Sequence, residues 1–300
     1  MSQATGHLPR WTDIDWSEHV HDIRVLDRSV RYVDYGSGPP FLLVHGLGGS
    51  WQTWLENIPA LAGAGHRVVA VDLPGFGGSD VLAPGATFDA HSATLLALID
   101  ALALPPVIVV GHSMGGLATI RLALGAPERV AGLVLACAGG IALSERRLAL
   151  IVRGFQAFNG LFSPAALRAV ARRPRLRRLV FRLGLYDTAG LSGQLAREIV
   201  PLMATPGFSD ALVAGAHAAA DSGADRLEGP TLLVWGANDR ILPVAQAEAL
   251  AASLPDARLM VLERCGHCPM FERPAGFNSA LVGFASELEA APRAASSSRG

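Results

Sequence analysis

Seven short β-rich runs punctuate this chain, and several of them have no polar residue at all. They are V-R-Y-V-D-Y (30–35), F-L-L-V (41–44), V-V-A-V (68–71), V-I-V-V (107–110), L-V-L-A (133–136), T-L-L-V-W (231–235) and L-M-V-L (259–262). A strand that is apolar on both sides must be covered on both sides. Helix-patterned segments separate the runs at 51–63, 88–103, 114–125, 244–254 and 274–289. This alternation predicts a mostly parallel central sheet flanked by helices, an α/β fold.

The rhythm breaks between residues 140 and 228, where the pattern is helical and no strand is evident. Such an insert reads as a helical cap, placed after the sixth strand and over the strand C-terminal ends, where open α/β sheets bind ligands. The expected organisation is an N-terminal arm (1–22), a core of 23–139 and 229–290, the cap (140–228) and a disordered tail (291–300). Trp11 and Trp16 are expected to dock the arm onto the body.

With 300 residues, half of them hydrophobic, the chain can bury a large core. Its formal charge of -1 offers no overall field for nucleic acid. Every basic side chain is arginine, so lysine Schiff bases and P-loop chemistry are excluded. The three cysteines, Cys137, Cys265 and Cys268, argue against a disulfide framework. The N-terminus lacks a basic start followed by an apolar run, and no uncharged apolar stretch reaches about 18–20 residues. A soluble cytoplasmic protein is the expectation.

The chemistry concentrates at predicted strand tips. V-G-H-S-M-G-G (110–116) places Ser113 between a strand and a helix, in the strand–turn–helix setting of a G-x-S-x-G nucleophile. The plain alternative is a glycine turn. A serine hydroxyl needs a base, a group that orients the base, and donors for the oxyanion. His267, in C-G-H-C-P-M-F-E-R-P, follows the last strand and is the best-placed base; His112 adjoins the serine but is expected to point away. Asp239, in W-G-A-N-D-R, follows the strand ending at Trp235. The other usual position for the acid, L-A-C-A-G-G, offers no carboxylate before Glu145. The loop H-G-L-G-G (45–49) supplies the Leu47 amide, which with the Met114 amide forms the expected oxyanion hole; His45 is expected to order that loop. Candidate pocket residues in the cap are Phe155, Phe158, Leu161, Phe162, Met203 and His217.

These motifs, with D-L-P-G-F-G-G-S (72–79), resemble the α/β-hydrolase superfamily over roughly residues 23–290, in the chain order Ser, Asp, His. The resemblance implies a cofactor-independent serine hydrolase and makes Ser79 and Asp80 turn ligands. The cap is similar to those of monoacylglycerol-lipase-like esterases and of C–C hydrolases acting on ring-cleavage products. The C–C hydrolases usually carry Asn before the nucleophile and Trp after the histidine; here His112 and Cys268 stand there. Hydrolysis of a small-molecule ester is therefore the main expectation, with C–C cleavage and a hydrolase-like ligand receptor of little turnover as alternatives. A serine nucleophile argues against dehalogenases and epoxide hydrolases of this fold, and Leu47 argues against perhydrolases.

Two further signals stand outside that scheme. Seven arginines between Arg168 and Arg182 are interspersed with apolar residues. They read either as a solvated helix face or as a weak membrane-surface contact. C-G-H-C (265–268) has the spacing of a metal or redox pair, but four ligands are not at hand, and no metal is expected.

Overall fold

A computed structural model describes residues 8–83, 85–140, 149–150, 153–154, 157, 163–205, 207–219 and 221–291. Eight strands form one sheet: β1 (Val20–Val25), β2 (Arg28–Gly36), β3 (Pro40–Val44), β4 (Arg67–Val71), β5 (Val107–His112), β6 (Val130–Ala136), β7 (Thr231–Gly236) and β8 (Ala257–Leu262). Their order is β1-β2-β4-β3-β5-β6-β7-β8. The first two strands pair antiparallel, as do β2 and β4; every other pairing is parallel.

The apolar runs become strands buried on both faces. On one face Leu42, Val44, Val69, Val109 and Leu135 pack beneath α2 (Asp89–Ala101), α3 (Met114–Gly125) and α8 (Val244–Ser253). On the other, Phe41, Leu43, Val68, Val110 and Val134 meet Ile58 and Leu61 of α1 (Ile58–Gly63) and Phe277 and Leu281 of α10 (Pro274–Ala290). Alternate residues of one strand thus feed two separate cores, which is what the two-residue side-chain period dictates.

Between β6 and β7 the described elements are helical. They are α4 (Pro164–Arg172), α5 (Pro174–Phe181), α6 (Gly193–Ile199), a 3₁₀ turn at Val200–Met203, α7 (Phe208–Ala219) and a 3₁₀ turn at Ala224–Arg226. Arg173 is extended and Pro174 opens α5, so proline splits the arginine-rich stretch as its missing N–H requires. The short helix α9 (Pro269–Glu272) precedes α10. Among the described residues no single helix is long and apolar enough to cross a membrane.

The N-terminal arm is shorter than residues 1–22, because β1 begins at Val20. Before it, the Trp11 indole N–H donates to Glu56 and the Trp16 ring lies 5.3 Å from that of Trp51. The strand escaped prediction because its turn carries no glycine or asparagine. Val25 pairs with Arg28, leaving a two-residue loop of Leu26 and Asp27 with φ of 47° and 62°. Two left-handed residues are the requirement of a type I′ hairpin turn, which favours Asn-Gly. Leu26 is half exposed and has little packing to lose. Replacing Leu26 by Asn and Asp27 by Gly is expected to stabilise the fold by about 1–2 kcal/mol, read from the urea midpoint.

Candidate active site

Strand β5 delivers the serine. The chain turns so sharply from β5 into α3 that Ser113 sits at φ 51°, ψ −119°, a conformation costing about 1–3 kcal/mol. Two glycines permit the turn. A Cβ on Gly115 would lie 2.4 Å from the His45 carbonyl oxygen, and one on Gly111 2.3 Å from Thr119 Oγ1. Helix and strands therefore approach closer than any side chain allows.

The three sequence candidates converge. His267 Nε2 lies 2.9 Å from Ser113 Oγ, and His267 Nδ1 lies 2.7 Å from Asp239 Oδ2. Since Nδ1–H donates to the carboxylate, Nε2 is left to accept from the serine hydroxyl. Asp239 Oδ1 accepts the amides of Ile241 and Leu242 at 2.8 and 2.9 Å. Burial opposes ionisation of Asp239, but His267 and the two amides outweigh it and hold the carboxyl below its ordinary 3.8.

The main chain around His267 is held from several sides. Its N–H donates to the carbonyl of Gly184, 2.7 Å away in the segment after α5. Its carbonyl accepts from His112 Nε2 at 2.9 Å. The amides on either side of it, Gly266 and Cys268, both donate to Glu272 Oε1 at 3.1 Å. The other oxygen of Glu272 accepts the Tyr186 amide at 2.7 Å. Burial raises the Glu272 pKa above the usual carboxyl value, against the pull of these amides.

Two of these contacts differ from, or lie beyond, the sequence reading. His112 does not point away. Its ring stands 5.0 Å from that of His267, it lines the cavity, and Nδ1 has no partner among the described residues. Burial lowers its pKa to about 3, so it stays neutral beside the base. Glu272 was not recognised as a site residue, although C-G-H-C-P-M-F-E-R-P contains it; a carboxylate five residues past a histidine carries no local signature.

The loop 45–49 closes over the serine. A Cβ on Gly46 would come within 2.9 Å of Ser113 Cβ. His45 orders this loop: Nδ1 donates to the Gly46 carbonyl at 2.7 Å and Nε2 accepts the Leu73 amide at 3.0 Å. Burial lowers its pKa to about 4. The amides of Leu47 and Met114 have no acceptor among the described residues. The turn 72–80 is structural: the Asp72 carboxylate accepts the Trp51 and Gly78 amides, Ser79 Oγ donates to the Asp72 carbonyl, and Asp80 accepts the Ser29 amide.

A cavity of about 150 Å³ opens above Ser113. Leu47, Phe181, Leu185, Leu191, Ile199 and Met203 form most of its apolar wall, with Cys268 and Phe271 beside the histidine. No charged side chain is among the described lining residues. Met203 lines this cavity. His217 does not: it is exposed on α7 and lines no part of the cavity. Phe155, Phe158, Leu161 and Phe162 lie outside the described residues. Phe181 and Leu185 were missed because the arginines around them mask the inward face.

The C-G-H-C motif holds no disulfide; all three cysteines are free. Burial pushes the Cys265 thiol up to about 12 and raises Cys137 and Cys268 well above the ordinary thiol value. The described residues that could converge on a metal are instead Cys137, Asp239 and His267, two of which already bond to each other. Cys137 occupies the alternative acid position after β6, at φ 43°.

Two outcomes are expected. Glu272→Ala leaves the amides of Gly266, Cys268 and Tyr186, one buried and two part-buried, without their acceptor and should cost about 2–5 kcal/mol in urea unfolding, together with a fall in kcat. Asp239 has a lower pKa folded than unfolded. Its share of stability is therefore complete above pH 3.8 and is lost as pH falls through the folded value. The urea midpoint of Asp239→Asn should decline less steeply below about pH 4 than that of the wild type.

A family model described as the α/β hydrolase fold matches residues 39–274. The chain is 31% identical over 267 residues to the 2-hydroxy-6-oxononadienedioate/2-hydroxy-6-oxononatrienedioate hydrolase of Paraburkholderia phymatum, covering 85% of this chain and 90% of that protein. Among solved structures, the meta-cleavage product hydrolase of Pseudomonas fluorescens IP01 superposes with a TM-score of 0.73 at 26% identity, covering 90% of this chain and 99% of that one. A thermophilic esterase from Thermogutta terrifontis shares the fold with a TM-score of 0.71 at 23% identity, over 90% of this chain and 98% of the esterase. With its eight-stranded sheet, its order of motifs and a match spanning most of its length, the chain belongs to the α/β-hydrolase family and is a hydrolase.

Proposed function

We propose that this hydrolase cleaves carboxylic esters of small lipophilic acids through an acyl-enzyme. The observation that carries this reading is the Ser113–His267–Asp239 relay opening onto an apolar cavity without a charged wall among the described residues. Ser113 Oγ attacks the ester carbonyl as its proton passes to His267 Nε2. The oxyanion that forms accepts from the Leu47 and Met114 amides, which are otherwise uncommitted. Asp239, ionised and fixed by the Ile241 and Leu242 amides, steadies the imidazolium. His267 then returns the proton to the leaving alcohol, and water, deprotonated by the same nitrogen, releases the acid. The neutral states of His112 and His45 support this assignment, since a second cation near His267 would oppose its protonation. Side chains, amides and water carry every step.

Hydrolysis of a C–C bond is the second reading, and sequence similarity favours it. The relative from Paraburkholderia phymatum is named for a dienedioate, a doubly anionic substrate. A dioate entering the present cavity would meet Leu47, Phe181 and Met203, with no cationic side chain among the described lining residues to offset desolvation of its carboxylates. His112 stands neutral beside the nucleophile, with an unpartnered acceptor rather than a donor at Nδ1. These features weigh towards an uncharged acyl group.

A p-nitrophenyl ester series of increasing chain length, assayed beside a ring-cleavage dienedioate, tests the proposal. The expected result is multiple-turnover ester hydrolysis favouring short to medium acyl chains, with Ser113→Ala slower by about 10³-fold or more. Efficient dienedioate cleavage with poor ester turnover would establish the second reading. A single slow acylation of Ser113 without turnover would point to a ligand receptor and refute both.

A further inference from the structure

The arginine-rich stretch is left unused by the chemistry above, and its placement gives it a direction. Residues 146–186 contain ten arginines and no acidic residue, while the rest of the chain carries 15 arginines against 26 acids. One of the ten, Arg177, is buried and donates to the Ala171 carbonyl. Arg168, Arg172, Arg173, Arg175, Arg178 and Arg182 are exposed, and none forms an ion pair among the described residues. Of the thirteen described arginines outside this stretch, five, Arg31, Arg67, Arg121, Arg129 and Arg258, have a carboxylate partner.

Large apolar side chains stand out of the same face. Leu179 is 61% exposed, Leu183 63% and Tyr186 43%. Arg175, Arg178 and Leu179 lie one turn apart on α5, Arg182 follows its last residue, and Leu183 and Tyr186 extend the strip beyond the helix. The opposite side of α5 is committed inward, where Phe181, with Gly184 and Leu185 just after it, walls the cavity over Ser113.

We propose that this outer strip is a docking surface for an anionic lipid bilayer, and that docking sets the wall of the active-site cavity against the headgroups. The charge selects an anionic partner, and the protruding leucines select one with a hydrocarbon interior. Arginine stems lie along the acyl boundary while the guanidinium groups reach phosphate. A second copy of the chain would bring the same uncompensated charge to the contact. Nucleic acid would satisfy the arginines and leave the leucines in water.

The test uses the full chain and sedimentation with phosphatidylglycerol–phosphatidylcholine vesicles, beside vesicles of phosphatidylcholine alone. Binding is read without turnover, so its failure is distinct from failure of the ester reading. At low salt the anionic vesicles should bind at least about tenfold more tightly, and about 0.5 M salt should abolish the difference. The combined Arg175→Gln, Arg178→Gln and Arg182→Gln variant should lose on the order of a hundredfold. Leu179→Ser with Leu183→Ser should lose about tenfold while keeping every charge. Thermal melting and hydrolysis of a soluble ester confirm that each variant is folded. If either fails to fold, the wild-type salt series on the two vesicle types decides. Equal binding to both vesicles, no binding, or DNA binding as tight as lipid and indifferent to the leucines would each overturn the proposal.

Discussion

Strands β3 to β7 have almost no face in water, and the rest of the molecule follows from that constraint. Their backbone groups can bond only to one another, so the parallel ladder is fixed in register and its C-terminal edge is aligned. Val44, His112, Ala136 and Gly236 end neighbouring strands on that edge. Loops leaving it need not travel far to meet. Thus a separation of 154 positions along the chain collapses to a 2.9 Å contact between His267 and Ser113. The strained serine and the close-packed glycines are sustained by two cores, one on each side of the sheet.

The electrostatics of the site are arranged by subtraction. His45 and His112 are kept neutral by burial, and the three thiols are kept protonated by it. Asp239 is the group whose anion is favoured, because amides and the imidazole reach it inside the fold. A charge appearing on His267 therefore faces one prepared counter-ion in a medium of low dielectric, where such pairing is strongest.

Much of this was legible in the sequence, for particular reasons. Continuous apolar runs announced the buried strands, and Ser113, Asp239 and His267 each sat just past one of them. The hairpin strand β1 was hidden because Leu26-Asp27 forms a turn that asparagine and glycine usually make. The direction of His112 does not follow from the sequence, because it is the last residue of β5, where the chain is already turning. Glu272 could not be read, since its meaning lies in the amides of Tyr186, Gly266 and Cys268, which reach it only after folding. The inward residues of α5 were obscured by its outward charge, and His217 was assigned by residue type where its helix face decided otherwise.

The bond from the His267 amide to the Gly184 carbonyl has a consequence for traffic through the cavity. Lifting the 184–186 segment away from the Gly266–His267 loop would pull on the base itself, so that rim behaves as a fixed jamb. Any movement that opens the chamber along this rim disturbs the base as well, whereas one that leaves the Gly184–His267 bond in place does not. The proton-transfer machinery then stays assembled from one substrate visit to the next.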